Sequence, residues 1–256
     1  MPADRQTKLP RIAFLDEVRG LCCLLMVIHH AFYTAGYIFG AQWGRWLFDF
    51  FAAASPFFAG IFILLCGICC RFSRSNLKRG LLLAAVSVGM SVVLWLFFPQ
   101  GMIWYGVLHF LATAILLYAV GHRLWDKIPP LVGLIVCAVY TVAFWHISPQ
   151  WGGYIGVKGL LSWDIPAAWQ VQRWLFPLGI GVGESADYFP LLQWLGVFFG
   201  GVFLGRWAKE GRFPRWMNKS RLPLLGKVGN YTLWVYVAHQ PILYGLFWCV
   251  FSLFSL

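Results

Sequence analysis

Four ionisable side chains sit inside the first apolar run of this 256-residue chain: Asp16, Arg19, His29 and His30. Charged or titratable groups are costly in an apolar setting, so each needs a partner or a task. A helix turns about 100° per residue. Asp16, Arg19, Cys23, Met26, His30, Tyr33 and Tyr37 then fall along one face, because they follow one another at alternating helical spacings of three and four. His30 lies within roughly 20° of Arg19 on this wheel, whereas His29 points roughly 80° away. The wheel selects His30 over its neighbour; Asp16 and Arg19 suit either a structural ion pair or a functional role, whereas a histidine this deep in an apolar span points to function.

Further histidines invite the same explanation. Tyr105, His109 and Thr113 form a polar line at helical spacing, and Tyr236 shares a face with His239. Pro241 lies two residues beyond His239 and leaves the carbonyl of Val237 without its usual helical partner. Arg71, Arg74 and Lys78 gather on one helical face at the end of an apolar run, a group suited to phosphates. Positive charge of this kind also marks the cytoplasmic ends of membrane helices. Cys66 and Cys69 spell CxxC in a wholly apolar run with no second pair, so packing is expected, and no metal site. GxSxG, P-loop and HExxH motifs are absent from the sequence.

The elements that carry these residues are membrane spans. Apolar residues make up 60% of the chain and charged residues 11%, and the mean hydropathy is +0.70. Soluble domains hold about 25% charged residues, so a soluble fold could not hide this surface. The fold class expected is all-α, a polytopic bundle of about seven transmembrane helices forming one domain over 1-256. The spans fall near 12-35, 46-70, 80-98, 103-120, 129-148, 188-206 and 229-254. The first is a retained span, not a signal peptide.

With the N-terminus in the cytoplasm, inner segments hold Arg5, Lys8, Arg11, Arg71, Arg74, Lys78, Arg79, Arg123, Lys127 and the seven basic residues from Arg206 to Lys227. Outer segments hold only Arg45, Lys158 and Arg173. That asymmetry sets the orientation and accounts for the net charge of +11 without nucleic acid. The outer loop over 149-187 is long, carries Asp164, Glu184 and Asp187, and includes a stretch, 174-181, apolar enough to dip into the membrane. Trp151, Trp163, Trp169 and Trp174 suit an interfacial belt or the apolar face of a sugar. Gly196 with Gly200, and Gly201 with Gly205, permit close helix approach, either within the bundle or at a homodimer seam.

RIAFLDEVRGLCCLLMVIHH (11-30) resembles the first span of the heparan-alpha-glucosaminide N-acetyltransferase catalytic-domain family. In order after it, LKRG (77-80), FFPQGMIWYGVLHFLA (97-112), DYFPLLQWLGVFFGGVFLGR (187-206) and GNYTLWVYVAHQPIL (229-243) resemble later segments of that family. The wider membrane acyltransferase superfamily has an Arg, ten intervening residues and a His in its first helix, which Arg19 and His30 reproduce, and an RxxR element, which Arg71 and Arg74 resemble. The resemblance implies acetyl or acyl transfer from coenzyme A, with acetyl-CoA as co-substrate, to an amine or hydroxyl of a sugar-type acceptor, in a bacterial inner membrane. On this reading Arg19, Arg71, Arg74 and Lys78 serve the coenzyme, His30, His109 and Asp16 the chemistry, and Asp187, Tyr188, Tyr33 and His239 the acceptor. Two other classes compete. A haem electron carrier would use two of the histidines as axial ligands, and a sugar or ion transporter would use the Asp16–Arg19–His30 face as a relay.

Overall fold

The computed structural model describes residues 12–254. Arg5, Lys8 and Arg11, counted among the inner charges above, lie outside the described residues. Nearly all regular structure is helical, and the only strands among the described residues form one two-stranded hairpin. Among the described residues, five helical segments are long and apolar enough to cross a membrane: Ala13–Ile38, Asn76–Phe97, Val107–Trp125, Leu191–Lys209 and Thr232–Leu253. A sixth crossing is supplied if Gln42–Ala52 and Ser55–Cys70, bent by 59°, are taken as one broken span. The fifth of the seven expected spans is a shorter apolar helix, Pro130–Phe144. The chain divides into two compact units, with one boundary after Phe62, inside a helix, and the other after Gly211, in a connection.

The first unit comprises the chain up to Phe62 and from Arg212 onward. It contains α1 (Ala13–Tyr33), α2 (Gln42–Ala52), the start of α3 (Ser55–Cys70), α9 (Pro223–Asn230) and α10 (Thr232–Phe254). α1 and α9 cross backbone on backbone. A Cβ on Gly20 would lie 2.0 Å from the Leu225 carbonyl oxygen, and one on Gly229 would lie 1.9 Å from that of Asp16. Glu17 is buried and locks the approach to α9. One carboxylate oxygen accepts from Ser220 Oγ at 2.7 Å, Arg221 N at 2.8 Å and Leu222 N at 2.9 Å. Those amides precede Pro223, the first residue of α9, where a missing N–H costs nothing.

Beyond His30 the first helix widens into a π turn, Thr34–Ile38. Thr34 Oγ1 donates back to the His30 carbonyl at 2.8 Å, a bond that competes with regular helical geometry. Gly36 then meets Gly44 of α2 so closely that a Cβ on Gly44 would lie 2.6 Å from Gly36 N. Arg45 Nε donates to the Gly36 carbonyl at 2.9 Å.

The second unit, Ile63–Gly211, holds the end of α3, α4 (Asn76–Phe97), α5 (Val107–Trp125), α6 (Pro130–Phe144), the hairpin β1 (Tyr154–Val157) with β2 (Leu161–Asp164), the short α7 (Ala167–Gln170) and α8 (Leu191–Lys209). α8 is the most buried of the long helices. Its glycines admit neighbours on two sides. A Cβ on Gly201 would fall 2.0 Å from the Leu64 carbonyl of α3, and one on Gly196 would fall 2.3 Å from Thr141 Oγ1 of α6. Gly200 lies against Cys137 and Leu64, and Gly205 against Ile68 and Arg71. These close approaches are made within the chain. Stretch 174-181, read above as apolar enough to dip into the membrane, is a single 3-10 helix, Arg173–Leu178, stopped by Gly179 at φ 94°.

Candidate active site

In the first unit, α1 and α10 bring His30 and His239 together, with His30 Nδ1 2.7 Å from His239 Nε2. The protons on this pair follow from the other end. His239 Nδ1 lies 2.5 Å from the Tyr236 carbonyl oxygen, which can only accept, so Nδ1 of His239 carries the hydrogen. A neutral His239 ring then has its lone pair on Nε2. His30 Nδ1 must donate to it, and the lone pair of His30 is left on Nε2. The relay runs from the Tyr236 carbonyl through His239 to His30, whose lone pair is fixed on Nε2.

His29 goes elsewhere. Its ring packs on Phe48 at 4.4 Å and edge-on to Phe58 at 6.2 Å, and its Nε2 is buried without a partner among the described residues. Lower on α1, Arg19 Nη2 donates to Asp16 at 2.9 Å and Nη1 to the Gly229 carbonyl at 3.2 Å, so this pair ties α1 to α9. Above His30, Tyr33 stacks on Tyr37 with centroids 5.5 Å apart. Gln240, next to His239, donates to Thr34 Oγ1 at 3.2 Å, which fixes α10 against the π turn and so the depth of His239 beside His30.

In the second unit a similar argument fixes His109. Ser91 Oγ of α4 lies 2.6 Å from the Ile103 carbonyl and must donate there. It therefore accepts from His109 Nε2, 3.2 Å away. His109 is left with its lone pair on Nδ1, an atom that is buried and has no partner among the described residues. The sequence singled out His109 but gave no sign of Ser91, a small polar residue in an apolar helix.

Asp187 and Tyr188 are used in building the same region. Asp187 Oδ2 accepts from Val107 N at 2.9 Å and caps the start of α5, and Gly106 is required there because a Cβ would lie 2.3 Å from that oxygen. Backbone bonds Ala186 N to Met102 O at 3.1 Å and Phe189 N to Tyr105 O at 3.0 Å join the two segments. Tyr188 stacks on Phe176 at 4.1 Å, and its hydroxyl donates to the Phe176 carbonyl at 2.8 Å.

The basic group divides. Arg71 is turned inward: its guanidinium pairs with Asp126, donates through Nε to the Val202 carbonyl at 3.1 Å and covers the Tyr118 ring at 5.2 Å. Arg74 and Lys78 are exposed around the start of α4, where Ser75 Oγ caps the helix by accepting from Lys78 N at 3.3 Å. Two cations at a helix N-terminus oppose its dipole, an arrangement that an anion relieves.

No curated protein and no solved structure matches the chain. The family model for the heparan-alpha-glucosaminide N-acetyltransferase catalytic domain matches residues 11–241.

Proposed function

The chain belongs to the heparan-alpha-glucosaminide N-acetyltransferase catalytic family and is a multi-pass membrane acetyltransferase, and from that premise we propose that it moves an acetyl group from cytoplasmic acetyl-CoA to an amine or hydroxyl of a sugar-type acceptor on the opposite side of a bacterial inner membrane. The observation that carries the reading is the Tyr236–His239–His30 relay, which holds one imidazole in a single tautomer with its lone pair on Nε2. That lone pair serves acyl transfer in either of two ways. As a base it takes the acceptor's proton while the acceptor attacks the thioester carbon and coenzyme A leaves as thiolate. As a nucleophile it attacks the thioester carbon itself, expels the thiolate, and then yields the acetyl group to the acceptor. Either step makes His30 cationic, and its Nδ1–H bond to His239 strengthens as the charge appears.

Arg74 and Lys78 are the cations free to meet the coenzyme's phosphates, whereas the contacts of Arg71 and Arg19 give them a structural task. His109 supplies a second buried base, whose role we assign to the acceptor side. The test is binding and turnover with the purified full chain. Acetyl-CoA should bind, and Arg74→Ala with Lys78→Ala should weaken it about tenfold or more, since a charge-assisted bond contributes about 1.5–3 kcal/mol. Intact mass after mixing with acetyl-CoA alone separates the two routes, because only the nucleophilic route leaves an acetyl group on the protein. If acetyl-CoA does not bind, the reading fails.

A further inference from the structure

A pocket of about 440 Å³ lies in the second unit where the hairpin meets the end of α6. Val142 and Trp145 line it from the helix, Tyr154, Val157 and Lys158 from the hairpin, and His146 where the two join. The joint is fixed by backbone bonds: Tyr154 N donates to the His146 carbonyl and Gly153 N to the Ser148 carbonyl, each at 3.0 Å. The His146 ring, tied through Nδ1 to the Trp151 carbonyl at 2.9 Å, stacks on Tyr154 with centroids 5.0 Å apart. Lys158 Nζ lies 4.5 Å from the centre of the same Tyr154 ring, so a cation is held at the pocket instead of sweeping through solvent. Lys158 makes no ion pair among the described residues, and no acidic side chain among them lines the pocket.

Two observations bear on where an occupant comes from. Val142 is 58% exposed and continues the apolar outward stripe of α6 through Val139, so the pocket opens onto a surface suited to lipid. The hairpin is itself apolar on one face: the register Ile155 with Trp163 and Val157 with Leu161 puts those four side chains on one side, and Leu160 at the tip is 84% exposed. Such a surface is costly in water and suits the headgroup layer of a bilayer, where tryptophan collects. An occupant there needs an apolar part for Val142, Trp145 and Val157 and an anion for Lys158. A phospholipid has both. We infer that this pocket is a binding site for an anionic phospholipid of the leaflet at this end of α6, with its phosphate on Lys158 and its glycerol and first chain carbons against Val142, Trp145 and Val157. The volume falls within the roughly 300–1,000 Å³ of ligand sites, room for the headgroup and glycerol while the chains run on along α6. Charge decides between lipids. A zwitterionic lipid brings an ammonium to a pocket that offers a cation and no carboxylate, whereas phosphatidylglycerol brings only the phosphate. None of these residues is placed in the chemistry of acetyl transfer, so the site stands apart from that reading.

The test uses the full chain in detergent, with phosphatidylglycerol and phosphatidylethanolamine analogues that carry a photoreactive group near the glycerol. Crosslinks are mapped by peptide mass spectrometry. The phosphatidylglycerol analogue should mark segments 141–145 and 154–158 several-fold more than the phosphatidylethanolamine one. Unlabelled phosphatidylglycerol should compete it away, and inorganic phosphate should not. Lys158→Gln should bring the marking down to the phosphatidylethanolamine level, Lys158→Arg should keep it, and Val142→Trp, which fills the apolar wall, should suppress both. Lys127→Gln removes an exposed cation elsewhere in the second unit and should leave the marking of these segments unchanged. Thermal midpoints check that each variant is folded. Equal marking by the two analogues, unchanged marking in folded Lys158→Gln, or an equal loss in Lys127→Gln overturns the assignment. Competition by inorganic phosphate as strong as that by the lipid also overturns it, since the site would then take free anions from solution.

Discussion

At the scale of single residues the decisive contrast is between two adjacent imidazoles. His30 hands its Nδ1 hydrogen to His239 and keeps a lone pair on Nε2, whereas His29 sits among Phe48 and Phe58 with its Nε2 unpaired among the described residues. His30→Ala should therefore cut acetyl transfer by about 10²–10⁴ with acetyl-CoA binding retained, the usual cost of losing a positioned base. His239→Phe removes the acceptor that sets the tautomer and should also lower turnover strongly. His239→Gln should keep more of it, because an amide oxygen can still accept from His30 Nδ1. His29→Phe should be folded and active, since it removes a buried polar atom that no described residue satisfies. Turnover and thermal midpoints of the four variants check this, and an inactive His29→Phe beside an active His30→Ala would refute it. The separation of the two histidines was legible in the helical wheel alone. The pairing with His239 was not, because it joins positions 209 residues apart and no local spacing encodes it.

At the scale of elements, the places where helices touch decide what a substitution does. Arg71 looks in sequence like half of an RxxR phosphate clamp, but its guanidinium is folded inward onto Asp126, the Val202 carbonyl and the Tyr118 ring. Arg71→Ala should therefore lower the thermal midpoint and leave acetyl-CoA affinity in the surviving folded protein nearly unchanged, the reverse of the pattern expected for Arg74→Ala with Lys78→Ala. Gly20→Ala should be more damaging than a typical surface change, because the added carbon would lie 2.0 Å from a backbone oxygen that cannot swing away. Overpacking typically costs about 1–3 kcal/mol. Thermal unfolding with and without acetyl-CoA measures both effects, and an unshifted midpoint for Gly20→Ala would mean that α1 and α9 are not in backbone contact. Apolar run lengths made most of these helices visible in the sequence. The Arg71–Asp126 pair was hidden because positive-inside bias and a phosphate clamp both account for an arginine at that place. The use of Gly196, Gly200, Gly201 and Gly205 was half legible: small residues at helical spacing announce close approach without saying to what.

At the scale of the whole molecule the parity of the membrane crossings turns on α6. Fifteen residues at about 1.5 Å each give a helix of roughly 22 Å, short of a hydrocarbon core of about 30 Å. Its exposed side chains are nevertheless Leu131, Val132, Ile135, Val136, Val139 and Val142, a surface that water would not tolerate and lipid would. A short span is accommodated by local thinning of the bilayer at a modest cost per Å, much less than that of leaving this surface wet. The charges point the same way. If α6 crosses, Lys158 and Arg173 lie outside and the basic run from Arg206 to Lys227 lies inside, in accord with positive-inside bias. If α6 does not cross, every later segment inverts, and that seven-fold basic run would have to be exported. We therefore expect Lys158→Cys to react with a membrane-impermeant thiol reagent on intact cells, and Lys219→Cys to react only after the membrane is opened, in a background in which exposed Cys249 is replaced by Ser. The reversed pattern would show that α6 stays on one side, which reduces the crossings to the five long helical segments and the bent pair of α2 and α3. Labelling of both positions in intact cells would reject the charge argument altogether, because with α8 crossing the membrane the two positions lie on opposite faces.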